Sequence, residues 1–259
     1  MRVYIAVDME GISGILRNDQ VSAEAREYPT GRRYMTWDVN ACVAGCFEGG
    51  ATAVSVRDIH GNGCNLVWEE LDSRVRLIQQ GWEVPRRLPL FDEHDALILL
   101  GYHAMAGTPH GILEHTMSSS HWQNFWLNGR KAGEIAIDMG IAGDHGKPVI
   151  LVSGSEKACA EARAWMPGVV VAPVKKDLDL HGGALLSKEK AHALIAERAA
   201  EAVRKAASIR PLRIRRPVRM RLEKVSRSRL PEAKVGVRVL DGRTYEVVGK
   251  DVESTLNML

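Results

Sequence analysis

Arg2-Val3-Tyr4-Ile5-Ala6-Val7 runs directly into Asp8-Met9-Glu10-Gly11. After the arginine the run is apolar and rich in β-branched residues, the pattern of a strand buried on both faces. Asp8 and Glu10 follow where that strand should end, and a glycine turns the chain away. Side chains two residues apart share one face of a strand. Both carboxylates are therefore expected at one point on the carboxyl edge of a sheet, where open α/β sheets hold their ligands. Two like charges that close need a cation or a proton to offset them. A divalent metal site is one reading and a pair of solvated loop acids is the other; this stretch alone does not choose between them.

Working outward, strand and helix signals alternate. Residues 53–56 read as a second strand ending at Asp58-Ile59-His60-Gly61, and residues 96–100 as a third ending at Gly101-Tyr102-His103. Residues 149–153 and 169–174 are further short strands. Helical periodicity covers residues 36–47, with Thr36 as N-cap and Gly49-Gly50 as the stop. It returns at 135–142, at 155–164 behind a capping Ser155, and over the Ala-rich stretch 187–207. This alternation predicts an α/β fold, a mostly parallel sheet flanked by helices. The composition changes after Ser208. Residues 213–222 alternate basic and apolar side chains, and residues 235–239 and 244–248 flank Asp241-Gly242, a hairpin turn signal. A smaller strand-rich C-terminal subdomain is expected, giving an α/β domain over 1–208, which holds the strand-end carboxylates, and an Arg-rich unit over 209–259. Its arginines read as the solvated face of an edge strand guarded by charge; nucleic-acid binding is disfavoured because no aromatic residues interleave the basic ones, and a subunit interface or peptide channel is a third use.

Composition narrows the function classes. The 259 residues are 45% hydrophobic and 26% charged, ordinary for a soluble globular protein. With 35 basic and 32 acidic residues the net charge is +3, which makes no electrostatic case for nucleic acid. No apolar run reaches ~18 residues, so no membrane-spanning helix is expected. The amino terminus lacks the apolar core and cleavage site of a secretory signal. Cys42, Cys46, Cys64 and Cys159 form no C-x-x-C pair and read as reduced thiols, with Cys42 and Cys46 one helical turn apart. A cytoplasmic protein is expected.

Three strand ends deliver the same kinds of side chain: Asp8 and Glu10, then Asp58 and His60, then His103. Neighbouring parallel strands end close together, and histidine with carboxylate suits zinc or another first-row divalent ion. Asp58 either orients the His60 imidazole or serves its own loop. Downstream, Asn128-Gly129 marks a turn and Glu134 sits in the first turn of a helix. The run Ser118-Ser119-Ser120 beside His121 invites a serine-hydrolase reading, but no G-x-S-x-G elbow precedes a helix there.

Asp-Met-Glu-Gly-Ile-Ser-Gly at 8–14, Asp58-Ile59-His60-Gly61, Gly101-Tyr102-His103-Ala104, Glu114-His115-Thr116, Asn128-Gly129-Arg130 and Gly133-Glu134 stand in series. Together they resemble the D-aminopeptidase family of dinuclear zinc peptidases, peptidase family M55. The motifs are clear from residue 1 to about 175 and weaker through the Arg-rich tail. The resemblance implies two zinc ions per chain, with Asp8 bridging them. It implies His60 and His103 on one ion and Glu10 and Glu134 on the other, with His115 in a catalytic role. It further implies a swivelling α/β fold with a smaller second domain. Family members assemble as a decamer of two stacked pentamer rings that admits short peptides, and short peptides are the expected partners here. A metal-dependent aminopeptidase is the expected function. The alternatives are another metallohydrolase on the same site, an amidase or esterase, and a non-catalytic ring-forming metal-binding protein. All six site positions keep the residue type the family uses, which favours the enzyme. His115 is expected to work by acid–base or oxyanion chemistry, since a metal-activated water makes a covalent step unnecessary.

Overall fold

Val3 to Val7 are fully shielded from solvent because their strand, β1 (Arg2–Val7), lies inside a seven-stranded sheet. The structure is a computed structural model that describes residues 1–79 and 86–259. After β1 come helix α1 (Tyr28–Glu48), β2 (Ala53–Asp58) and β3 (Val75–Ile78). The next strands are β4 (Ala96–Tyr102), β5 (Trp122–Leu127) and β6 (Arg130–Lys131), followed by α2 (Glu134–Asp144). Then follow β7 (Val149–Ser155), α3 (Glu156–Trp165), β8 (Val170–Asp179), β9 (Gly182–Leu185) and α4 (Lys188–Lys205). The tail supplies β10 (Val218–Lys224), β11 (Val237–Val239), β12 (Thr244–Gly249) and the short α5 (Val252–Leu256).

The large sheet has the order β3-β2-β1-β4-β7-β8-β9 and is parallel from β3 to β8; only β9 folds back antiparallel. From β1 the chain moves outward through β2 and β3, then crosses to β4 on the other flank of β1. That reversal opens a crevice at the carboxyl ends of β1 and β4, where α/β sheets bind ligands. The smaller sheet is antiparallel with the order β11-β12-β10-β5-β6. It joins the tail to β5 and β6, whose two-residue turn Asn128-Gly129 has φ of 49° and 84°, the left-handed pair that such hairpins need. The expected architecture is therefore present: a mostly parallel sheet flanked by helices, with a smaller strand-rich sheet beside it.

Ser155 and Ser187 cap α3 and α4, each accepting an amide three residues on. Cys42 and Cys46 both face the core from α1. Two expectations are corrected. The first long helix starts at Tyr28 rather than Thr36; Pro29 sits in its first turn, where a missing N–H costs nothing. Thr36 lies mid-helix, its hydroxyl turned back to the Arg32 carbonyl at 2.9 Å. The basic strand β10 is not an edge, because β12 and β5 flank it on both sides. Its arginines find partners within the sheet: Arg219 pairs with Glu246, and Arg221 lies 3.8 Å over the Trp126 ring. Alternating basic and apolar residues reveal which face is wet, not how many neighbours a strand has.

Candidate metal centre

The turn after β1 is pressed against the end of β4. The Asp8 amide donates to the Leu100 carbonyl at 2.9 Å and the Gly11 amide to that of Gly101 at 2.7 Å. A Cβ on Gly11 would overlap the Tyr102 carbonyl, and Gly101 has φ of 71°, so both positions require glycine. This close approach sets Asp8 beside His103, just beyond β4. From the other flank, β2 delivers His60. Asp58 serves its own loop: it accepts the amides of His60 at 3.1 Å and Asn65 at 2.5 Å, and the Asn65 side chain at 2.9 Å. The His60 ring is oriented instead by the Val21 carbonyl, 2.9 Å from Nε2.

The histidines share one device. Each has one ring nitrogen on a backbone carbonyl, which fixes an N–H there and leaves a lone pair on the other nitrogen. His60 uses Nε2 on Val21; His103 uses Nδ1 on Ala104 at 3.0 Å; His115 uses Nδ1 on Leu113 at 2.9 Å. Every remaining nitrogen faces carboxylate. His60 Nδ1 lies 3.3 Å from Asp8 Oδ1 and 3.1 Å from Glu10 Oε2. His103 Nε2 lies 3.3 Å from Asp8 Oδ2 and 3.4 Å from Glu134 Oε1. His115 Nε2 is 3.8 Å from the same Glu134 oxygen, and its ring stacks on His103 with centroids 3.9 Å apart. A lone pair facing carboxylate oxygens is repulsive unless a proton or cation stands between them.

Electrostatics follow from that arrangement. Burial would raise the Asp8 carboxyl, but the facing imidazoles of His103 and His60 hold it well below the usual range. Burial would lower His60, and Glu10 with Asp8 raises it well above the ordinary histidine value. His103 is raised in the same way by Asp8 and Glu134. Glu134 comes down to about 2 against its burial, drawn by His103 and Arg87. The group is thus built around positive charge. Asp8 Oδ2 and His103 Nε2 are buried without a hydrogen-bond partner among the described residues. Donor atoms of Asp8, Glu10 and His103 lie within 4.8 Å of one another, as do those of His103, His115 and Glu134. Nitrogen and carboxylate donors at that spacing fit a first-row dication.

All six expected residues meet here. Asp8, Glu10, His60, His115 and Glu134 line a cleft of about 680 Å³ with Val21, Leu113 and Leu180 on its walls, and His103 lies buried behind them. Each Asp8 oxygen faces one histidine, and each histidine is shared with one glutamate, because His60 and His103 arrive from strands on opposite flanks of β1. The Ser118 and Ser120 hydroxyls bond the His121 ring on an exposed loop, apart from this group.

Sequence reading missed the residues that brace the centre from behind. Lys175 on β8 is buried, and its ammonium donates to the carbonyls of Glu10 at 2.6 Å, Ile12 at 2.9 Å and Ile15 at 2.6 Å. All three ammonium protons are thus used to shape the loop that carries Asp8 and Glu10. Lys175→Met would leave three converging carbonyls unsatisfied. It is expected to cost about 3–5 kcal/mol, read as a lower urea midpoint; an unchanged midpoint would refute the brace. Lys175 carries no local signal, since it opens the charged half of β8 beside Lys176 and Asp177.

Glu161 on α3 accepts the Met105 amide at 2.8 Å, supporting the loop after His103. Burial pushes its carboxyl up to about 7, against the amides of Met105 and Gly133 and the nearby His103. Between about pH 4.5 and 7 the folded state therefore holds a proton that the unfolded state has released, and stability falls as pH rises through that window. Glu161→Gln removes this dependence and still accepts the Met105 amide. In metal-free protein its stability relative to wild type is expected to grow by up to about 3 kcal/mol between pH 5 and pH 8. Urea unfolding of both proteins at the two pH values measures it, and a difference that does not change with pH rules it out.

A sequence model of the D-aminopeptidase family, Peptidase M55, matches residues 1–259. The D-aminopeptidase of Bacillus subtilis (strain 168) is 36% identical over 214 residues, covering 82% of this chain and 77% of that one. A solved structure, the Zn-dependent D-aminopeptidase DppA from Bacillus subtilis, described as a self-compartmentalizing protease, superposes with a TM-score of 0.92. It is 32% identical, and the match covers 100% of this chain and 95% of that one. Fold, cleft and donor set, with these matches, define a metal-dependent aminopeptidase. The chain belongs to the D-aminopeptidase family, peptidase family M55.

Proposed function

We propose that this metal-dependent aminopeptidase removes the amino-terminal residue from short peptides, D-aminoacyl peptides among them, with two zinc ions held at the crevice between β1 and β4. Asp8 would be shared by both ions. His60 and His103 would serve one ion, and Glu10 and Glu134 the other. The observation that carries this is the three histidines, each tied to a carbonyl through one nitrogen and turned to buried carboxylate with the other. The zinc dependence of the DppA relative supports the choice of metal.

Two zinc ions bound there would supply Lewis acidity, enough to lower the pKa of a water toward neutrality and to polarise a scissile carbonyl. The chain's own residues do the rest. The Leu113 carbonyl fixes the Nδ1–H of His115, so Nε2 is the atom that meets substrate. Neutral, it takes a proton from the attacking water; protonated, it steadies the developing oxyanion and gives that proton to the leaving amine. Val21, Leu113 and Leu180 form the apolar walls against which a substrate side chain packs. The relative's self-compartmentalizing character supports a homo-oligomer that limits access to short chains, and we extend this to a decamer in the cytoplasm. Among the described residues no helix is long and apolar enough to cross a membrane.

Elemental analysis of protein purified without chelator tests the centre. About two zinc equivalents per chain are expected, together with turnover of D-alanyl p-nitroanilide that chelator abolishes and zinc restores. Protein that takes up no zinc, manganese or cobalt would sink the proposal. Turnover of L-alanyl p-nitroanilide alone would refute the D-peptide part.

A further inference from the structure

Arg87 stands at the cleft wall and has no reacting role in the reading above. Its amide donates to Glu253 Oε1 on α5 at 2.8 Å, which fixes where the residue enters. Its guanidinium spans two carboxylates of one helix. Nε donates to Asp138 Oδ1 at 2.6 Å, and a terminal nitrogen donates to Asp138 Oδ2 at 3.1 Å. That same terminal nitrogen donates to Glu134 Oε2 at 2.9 Å. Glu134 and Asp138 are four apart on α2 and share a face.

Asp138 is fully buried, and the Tyr102 hydroxyl closes its second oxygen at 2.6 Å. Its carboxylate therefore fixes the plane of the guanidinium from behind, a forked contact that only arginine makes. Glu134 is left with divided duties. Oε2 is held by Arg87, while Oε1 accepts the Met117 amide at 2.7 Å and points at His103. Among the described residues no hydrogen bond runs from Arg87 to Asp8, Glu10 or His60. The Glu10 side of the centre has its own brace, the Lys175 ammonium on the loop carbonyls.

We infer that Arg87, locked by Asp138, is a positioning residue for one ion only: it pins Glu134 so that a single oxygen is presented on the His103 side of the centre. The inference rests on the two-ion reading. A pinned carboxylate binds without first losing its rotamer freedom, and outer partners of this kind are typically worth 10–100-fold in metal affinity.

The experiment is zinc release from the holoenzyme against a chromogenic chelator, with circular dichroism reporting the fold. In Arg87→Met one zinc is expected to bind about 10–100-fold more weakly while the other is unchanged. Arg87→Lys keeps the charge and loses the fork; it is expected to show the same selective loss at about 10-fold. This variant decides the matter if Arg87→Met does not fold. A double-mutant cycle assigns the carboxylate. Arg87→Met should add little to Glu134→Gln and its full effect to Glu10→Gln. Unchanged affinities, tighter binding, or equal weakening of both ions in a folded variant would each overturn the inference. A wild type that holds fewer than two ions overturns the two-ion reading beneath it, a result separate from any of these.

Discussion

Asp8→Ala is expected to release both zinc ions and lower peptide turnover on the order of 10³-fold or more. The size follows from geometry. The two oxygens of Asp8 face two histidines from opposite flanks, at 3.3 Å each. No other carboxylate within the group touches both sides. Without Asp8 each ion would keep two protein donors, too few for the four that zinc takes. Asp8→Asn preserves volume and separates charge from shape; it is expected to lose metal nearly as fully, since neutral amide oxygen cannot offset two dications. Elemental analysis of both variants beside the wild type measures this. Two zinc equivalents retained in Asp8→Ala would refute the bridging role.

His115→Ala is expected to lower kcat by about 10²-fold or more with both ions in place. The His115 ring offers Nε2 at 3.8 Å from Glu134, farther than the contacts of His60 and His103. That distance suits a group that works beside the metals rather than under them. The stacked His103 ring and the Leu113 carbonyl hold it there, so its loss should leave the donors undisturbed. Steady-state kinetics paired with metal analysis separate the roles. Loss of zinc along with kcat would make His115 a ligand. Isolation of an acyl-imidazole on His115 from a slow substrate would make it a nucleophile and refute the proton-transfer role.

The parts of the centre that sit at strand ends were legible in the sequence. A short apolar run that gives way to polar residues beside a glycine marks a strand end, and three such ends gave Asp8 with Glu10, Asp58 with His60, and His103. Glu134 and His115 were legible only through the family motifs, because a first-turn acid and a loop histidine have ordinary structural uses. Asp58 shows the limit of spacing. Its position two before His60 fits a ring-orienting carboxylate as well as a loop staple, and only the contacts reveal the staple. The supporting cations left weaker marks. Arg87 sits among Arg86, Leu88 and Pro89 with no periodicity to betray it. Asp138 was a lone acid in an otherwise apolar helix turn. Both mattered through partners far away in the chain, 51 residues apart from each other.

The sequence by itself determined that there is a mostly parallel sheet, where five of its strands lie, and which chemistry gathers at its carboxyl edge. Those are local properties: burial on two faces demands a continuous apolar run, and a turn at the strand end demands polar residues and glycine. Tertiary structure decided everything that depends on which strands are neighbours. It placed β2 and β4 on opposite flanks of β1, and so set His60 and His103 against different oxygens of Asp8. It put β10 in the middle of a second sheet rather than at an edge, and brought Arg87 and Lys175 beneath the two halves of the centre. Neighbourhood in a sheet is fixed by long-range packing, and a residue's type and local spacing carry no record of it.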